Sequence, residues 1–152
     1  MGVLTIWESA DVTVSQAGDV YLPGYLLVES HPSSRERGAI NAPDEQALAF
    51  AVDLSETLVD RLLNPDHIHV VKVGRADGRV NFHIIPETSD VRGCCLQSLG
   101  DAASCDERRI ADTVRDNYSV KEHGDDVVEV LTFVSQARSL CRELLAASLG
   151  RA

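Results

Sequence analysis

The stretch "HVVKVGRADGRVNFHIIPE" (residues 69–87) decides how this chain is read. It holds most of two runs rich in β-branched residues, "HIHVVKVG" (67–74) and "RVNFHIIP" (79–86), joined by "RADG" (75–78), a connector of turn composition. Val, Ile and Phe suit a pleated, half-buried surface, so the segment predicts strand, tight turn, strand. In the second run Val80, Phe82 and Ile84 alternate with Arg79, Asn81 and His83. Successive side chains point to opposite faces of a strand, which puts a guanidinium, an amide and an imidazole on one side. From the residues alone, that side is either a ligand-facing site or the wet face of a strand.

Working outward, "LTIWES" (4–9), "DVTVSQ" (11–16) and "VYLPGYLLVES" (20–30) are read as strands, with turns near Ala10-Asp11, Ala17-Gly18-Asp19 and Pro23-Gly24. "HPSSRERGAIN" (31–41) is a polar loop. "APDEQALAFAVDLSETLVDRLLNP" (42–65) has Pro43 near its start, acids in its first turn and Asn64-Pro65 as a stop. Leu48, Val52, Leu58, Val59 and Leu62 form its apolar stripe, so it predicts a long helix of roughly twenty residues. After the connector "ETSDVRGCCLQSLGDAAS" (87–104), "CDERRIADTVRDNY" (105–118) predicts a helix. "GDDVVEVLTFVSQARSLCRELLAASLG" (124–150) predicts a longer one, with Asp126 and Glu129 at capping-box spacing and Val127, Val130, Leu131, Val134, Leu140 and Leu144 on its apolar side. Strands, helix, hairpin and C-terminal helices make an α+β layout with an antiparallel sheet, in one domain over residues 1–152.

Fourteen basic against 24 acidic residues leave a formal charge of −10. Such a chain is poorly suited to sequence-independent binding of DNA phosphates or anionic lipid, although a small nucleotide needs only local positive groups. No apolar run reaches the ~20 residues of a membrane span. The start "MGVLTIWESADVTV" lacks a secretory pattern, so the expected compartment is the cytoplasm. Cys94, Cys95, Cys105 and Cys141 show no zinc-ligand spacing and are expected to be reduced and mostly packed, with a Cys94/Cys95–Cys105 redox or metal site as the alternative. His67, His69 and His83 suggest a zinc site to anyone counting imidazoles, but exposed strand histidines are the preferred reading; the sequence calls for no metal and no cofactor.

Three stretches together resemble the histidine triad (HIT) superfamily of nucleotidyl hydrolases and transferases. "LPGYLLVESH" (22–31) is similar to the family's Pro-Gly-His-x-Leu-Val strand leading into a His-containing loop. The helix at about 43–64 follows, and the hairpin ends like the His-φ-His-φ-His-φ-φ-Pro-Arg motif, where φ is apolar. The resemblance covers about residues 6–118, leaving a C-terminal helical extension over 119–152. It implies a five-stranded antiparallel sheet with helices, a homodimer, and a small phosphorylated or anionic ligand such as a nucleotide.

In that family the middle histidine attacks the α-phosphorus and the outer two orient it and stabilise charge. Gapless alignment places Arg79, Asn81 and His83 at the three positions. A carboxamide nitrogen has its lone pair delocalised into the carbonyl, so Asn81 cannot act as that nucleophile. Two readings follow. In one, an enzyme acts without covalent histidine: His83 is general acid or base, Asn81 orients substrate, and Arg79 with Lys72 holds negative charge. In the other, the chain is a non-catalytic nucleotide- or anion-binding module or a dimeric partner protein. His69 is a weaker candidate for a substitute base, His31 matches the family's loop histidine, and Tyr25 stands where the family often has histidine after Pro-Gly. Gln16 and Asp19 are the residues nearest the family's ribose-binding position.

Overall fold

The structure, a computed structural model, describes residues 2–31, 42–74, 80–99, 107–118 and 124–149. Its strands are β1 (Thr5–Glu8), β2 (Val12–Gln16), β3 (Leu26–Ser30), β4 (His67–Gly74) and β5 (Val80–Glu87). Its helices are α1 (Ala42–Leu63), α2 (Ser89–Leu99), α3 (Glu107–Tyr118) and α4 (Gly124–Leu149). The strands form one antiparallel sheet in the order β1-β2-β3-β5-β4, the α+β architecture expected from the sequence.

Alternation within the strands divides the molecule into two layers. On one face Val12, Val14, Leu26, Val28 and Ile84 bury against Ala51, Leu54, Leu58 and Val59 of α1 and Phe133, Val134 and Ala137 of α4. Burying a large apolar side chain contributes about 1.5–3 kcal/mol, so this layer is the main source of cohesion. Arg138 of α4 adds a polar tie, donating from Nε to the Thr5 carbonyl at 2.7 Å. On the other face Tyr25 and Ile85 pack with Val91 of α2 and with Ile110 and Val114 of α3. Leu27 and Val71 flank that smaller cluster.

The third predicted strand is shorter than expected. Residues 21–25 lie outside the strand and turn at Pro23-Gly24, where Gly24 adopts φ +89°, a conformation few L side chains tolerate. Gln16, 2 % exposed, clamps this turn: its Oε1 accepts from Gly24 N at 2.9 Å and its Nε2 donates to the Leu22 carbonyl at 2.9 Å. Gln16 is therefore a structural residue, not a ribose ligand. The connector after β5 also differs from expectation, since residues 89–99 are helical. Thr88 starts that helix, its Oγ1 accepting from Val91 N at 3.4 Å and its carbonyl from Arg92 N at 2.9 Å. Gly93 and the lack of a long apolar stripe had hidden it. The expectation of four reduced cysteines is likewise corrected: Cys94 and Cys141 are free, but Cys95 is disulfide-bonded.

Candidate functional site

Strand β5 presents Asn81, His83, Ile85 and Glu87 away from the α1/α4 layer, because Phe82 and Ile84 face that layer and strand residues alternate. The register puts Leu27 and Val71 on either side of His83, and Glu29 and Val73 on either side of Asn81. The candidate site thus lies on the α2/α3 face of the sheet, between β3 and β4.

His83 is half-buried, and its Nδ1 lies 2.7 Å from the Tyr25 hydroxyl. The two rings meet edge to face, with centroids 5.6 Å apart. The Arg115 guanidinium of α3 acts electrostatically on the same phenol. Burial raises the Tyr25 pKa above its ordinary value, with Arg115 acting in the opposite sense and Asp19 and Asp112 reinforcing the rise. Burial lowers the His83 pKa, Arg115 lowers it further, and Asp19 works against both. Near neutral pH the phenol therefore keeps its proton and the imidazole is uncharged. Parity along β3, which groups Tyr25 with Leu27 and Glu29, was the sequence signal for Tyr25. Arg115 carried no signal, because only the packing of α3 brings it to a strand more than thirty residues earlier.

Asn81 is 8 % exposed, and its buried Oδ1 has no hydrogen-bond partner among the described residues. An orphaned buried acceptor costs about 1–3 kcal/mol, and native structures hold few of them. Asn81 sits at the position that the HIT resemblance assigns to the nucleophile.

The remaining expected site residues separate from this pair. Lys72 is opposite Phe82 in the hairpin, so it faces the α1 side and cannot hold charge over His83; this corrects its expected place in the site. The shared parity of Lys72 with Ile68 and Val70, both packed on the α1/α4 core, was the overlooked signal. Lys72 lines a different cleft of about 460 Å³, together with Leu48, Val52, Asp53, Val80 and Phe82. His69 does lie on the His83 face, but it is 7 % exposed and its Nε2 is 3.0 Å from Oε1 of buried Glu87. His67 stacks edgewise on it at 4.6 Å, and Arg92 Nε approaches Glu87 Oε2 at 3.7 Å. His69 thus belongs to a structural cluster rather than serving as a free base. His31 is bound on both ring nitrogens, Nδ1 to the Ala10 carbonyl at 3.0 Å and Nε2 to Thr13 Oγ1, and anchors the end of β3. Arg79 lies outside the described residues. Among the described residues no group of three or more His, Cys, Asp or Glu side chains is placed to hold a metal.

No family model matches the sequence, and no curated protein does. Solved structures do match. A HIT-like protein involved in cell-cycle regulation from Bartonella henselae is 15% identical, with a TM-score of 0.54 over 91% of this chain and 87% of that one. A hypothetical histidine triad nucleotide-binding protein from Sulfolobus tokodaii is 13% identical, with a TM-score of 0.53 over 90% and 83%. Sheet order, hairpin and helices define an α+β protein. That fold is the HIT-like fold, as the motifs had implied. No described helix is long and apolar enough to cross a membrane.

Proposed function

We propose that the β5 face binds a nucleotide or a similar small molecule, and that any reaction there proceeds without a covalent nucleotidyl-histidine. One observation carries the reading: the position that needs a nucleophilic imidazole holds Asn81, whose buried Oδ1 lacks a partner, two residues from a half-buried neutral His83. A fold retained around an altered site is a frame in which chemistry has changed or been dropped. His83 is the described residue on this face fit for proton transfer, through Nε2, because Nδ1 is occupied by Tyr25. Arg115 gives the His83 end of the site local positive charge. The second reading is binding without turnover, and the absent nucleophile favours it. A homodimer belongs to the same proposal: β4, eight residues long, is an edge strand whose outer side no strand among the described residues covers.

The test is calorimetric titration of the wild type and His83→Ala with AMP, alongside turnover assays on a nucleoside phosphoramidate and a dinucleoside polyphosphate. The proposal expects AMP binding that weakens in His83→Ala, and no nucleotidyl adduct by intact-protein mass spectrometry. A covalent adduct on the wild type would overturn the non-covalent reading. Absence of binding to any nucleotide would overturn the ligand class.

A further inference from the structure

Lys72, which strand alternation turns away from His83, lines the cleft of about 460 Å³ on the α1 side of the sheet. Small-molecule sites typically enclose roughly 300–1,000 Å³, so the cleft is large enough to be one. Its floor is apolar. Leu48 and Val52 of α1 and Phe82 of β5 pack against the main core but are only partly buried by it. Positions 45, 48, 49, 52 and 53 fall at i, i+3, i+4, i+7 and i+8, so one stripe of α1 forms a wall of the cleft.

The charges around this floor are of both signs. Glu45 and Asp53 belong to the helical wall, and Lys72 to the strand wall, directly opposite Phe82 in the hairpin register. All three are exposed, and none makes an ion pair with a described residue. Two other clefts do not combine these features. In the one of about 360 Å³ between Val3 and α4 the cation is Arg138, already committed to the carbonyls of Gly2, Val3 and Thr5. The one of about 230 Å³ between α1 and α4 has Asp53 as its charged lining residue and no cation. In the larger cleft a simple anion gains Lys72 but meets two carboxylates, and a simple amine gains the carboxylates but meets the lysine. A molecule with an ammonium, a carboxylate and an apolar body matches every part of the lining.

We infer that this cleft is a second small-molecule site and that it takes an apolar amino acid. The ammonium lies towards Asp53 and Glu45, the carboxylate towards Lys72, and the side chain on Leu48, Val52 and Phe82. The site is independent of the nucleotide reading, because Phe82 faces the opposite side of β5 from Asn81 and His83.

The experiment titrates 15N-labelled full-length protein with L-phenylalanine, 3-phenylpropanoate, phenethylamine and glycine, followed at the backbone amides. L-Phenylalanine is expected to give saturable shifts at residues 48–53, Lys72 and Phe82, with a dissociation constant near ~1 mM or below. Phenylpropanoate lacks the ammonium and phenethylamine the carboxylate, and each is expected to bind at least ~3-fold more weakly, the scale of one exposed charge pair. Glycine, without an apolar body, gives no saturable shift. Lys72→Gln removes the advantage of phenylalanine over phenethylamine, and the double variant Glu45→Gln/Asp53→Asn removes its advantage over phenylpropanoate. These three side chains are exposed, so the variants keep the fold, and His83→Ala leaves phenylalanine binding unchanged. An analogue that binds as tightly as phenylalanine, the absence of saturable shifts, or binding lost in His83→Ala overturns the inference.

Discussion

The Tyr25 hydroxyl and His83 Nδ1 are 2.7 Å apart, although 58 positions separate them in the chain. Tyr25 ends the Pro-Gly turn and His83 sits mid-strand, so the bond exists only because β3 and β5 are neighbours in register. It makes the Pro-Gly turn part of the site, and the behaviour of His83 becomes sensitive to residues far from it in sequence.

The pH response of His83 follows. Its folded pKa lies below the unfolded value, chiefly from burial and then from Arg115. The native state therefore binds fewer protons than the unfolded chain below the ordinary histidine value of about 6.5. The stability linked to this group is present above that pH and is lost as pH falls through the folded pKa. Arg115→Gln removes the neighbouring cation and moves the His83 midpoint upward, read by NMR titration of its ring carbon. An unchanged or lower midpoint would show that Arg115 does not act on the imidazole.

The Gly24 turn gives a steric prediction. A Cβ at position 24 meets Leu63 Cδ1 at 2.4 Å, on a backbone with φ +89°. Strain at such a conformation costs about 1–3 kcal/mol, so Gly24→Ala lowers the urea midpoint accordingly. Adding Leu63→Ala relieves the clash but not the φ cost, so a double-mutant cycle shows partial compensation. Full additivity of the two losses would contradict the close approach.

The His69–Glu87 pair is next. Both side chains are more than nine-tenths buried, and Glu87 replaces the arginine usual after the motif's proline. His69→Ala leaves a buried carboxylate whose described partner is Arg92 at 3.7 Å. Leaving a buried charged acceptor short of partners costs about 1–3 kcal/mol or more. Equilibrium unfolding should record that loss with little change in His83 titration, since the cluster is separate from the Tyr25–His83 bond. A loss of under ~0.5 kcal/mol would mean that the pair is energetically idle.

These residues also show how far the sequence could be read. Period two in β5 and the long apolar stripe of α1 are local patterns, and both elements form where they were expected. Lys72 falls on the α1 face, as its parity with Ile68 and Val70 requires, so the strand's own alternation outweighs its match to a family position. Arg115 was not legible: it is an exposed helix residue, and only tertiary packing of α3 brings it to Tyr25. The unfilled Oδ1 of Asn81 was hidden for the same reason, since whether a carboxamide is satisfied depends on which donors the fold brings near.

Asn81 supports the last prediction. A buried polar side chain kept for structure makes hydrogen bonds, and replacing it with an apolar one is destabilising. Asn81 Oδ1 makes none, and the residue occupies a central strand, where β-branched side chains fit well. Asn81→Val therefore raises stability, by up to about 1–2 kcal/mol, through loss of an unsatisfied acceptor and gain in strand packing. The same substitution abolishes ligand recognition at this position, so stability and binding move in opposite directions. Thermal and urea unfolding of the unliganded protein measure the first, and NMR titration the second. A destabilised Asn81→Val with unaltered binding would identify Asn81 as a structural residue after all and remove the basis for a site at this position.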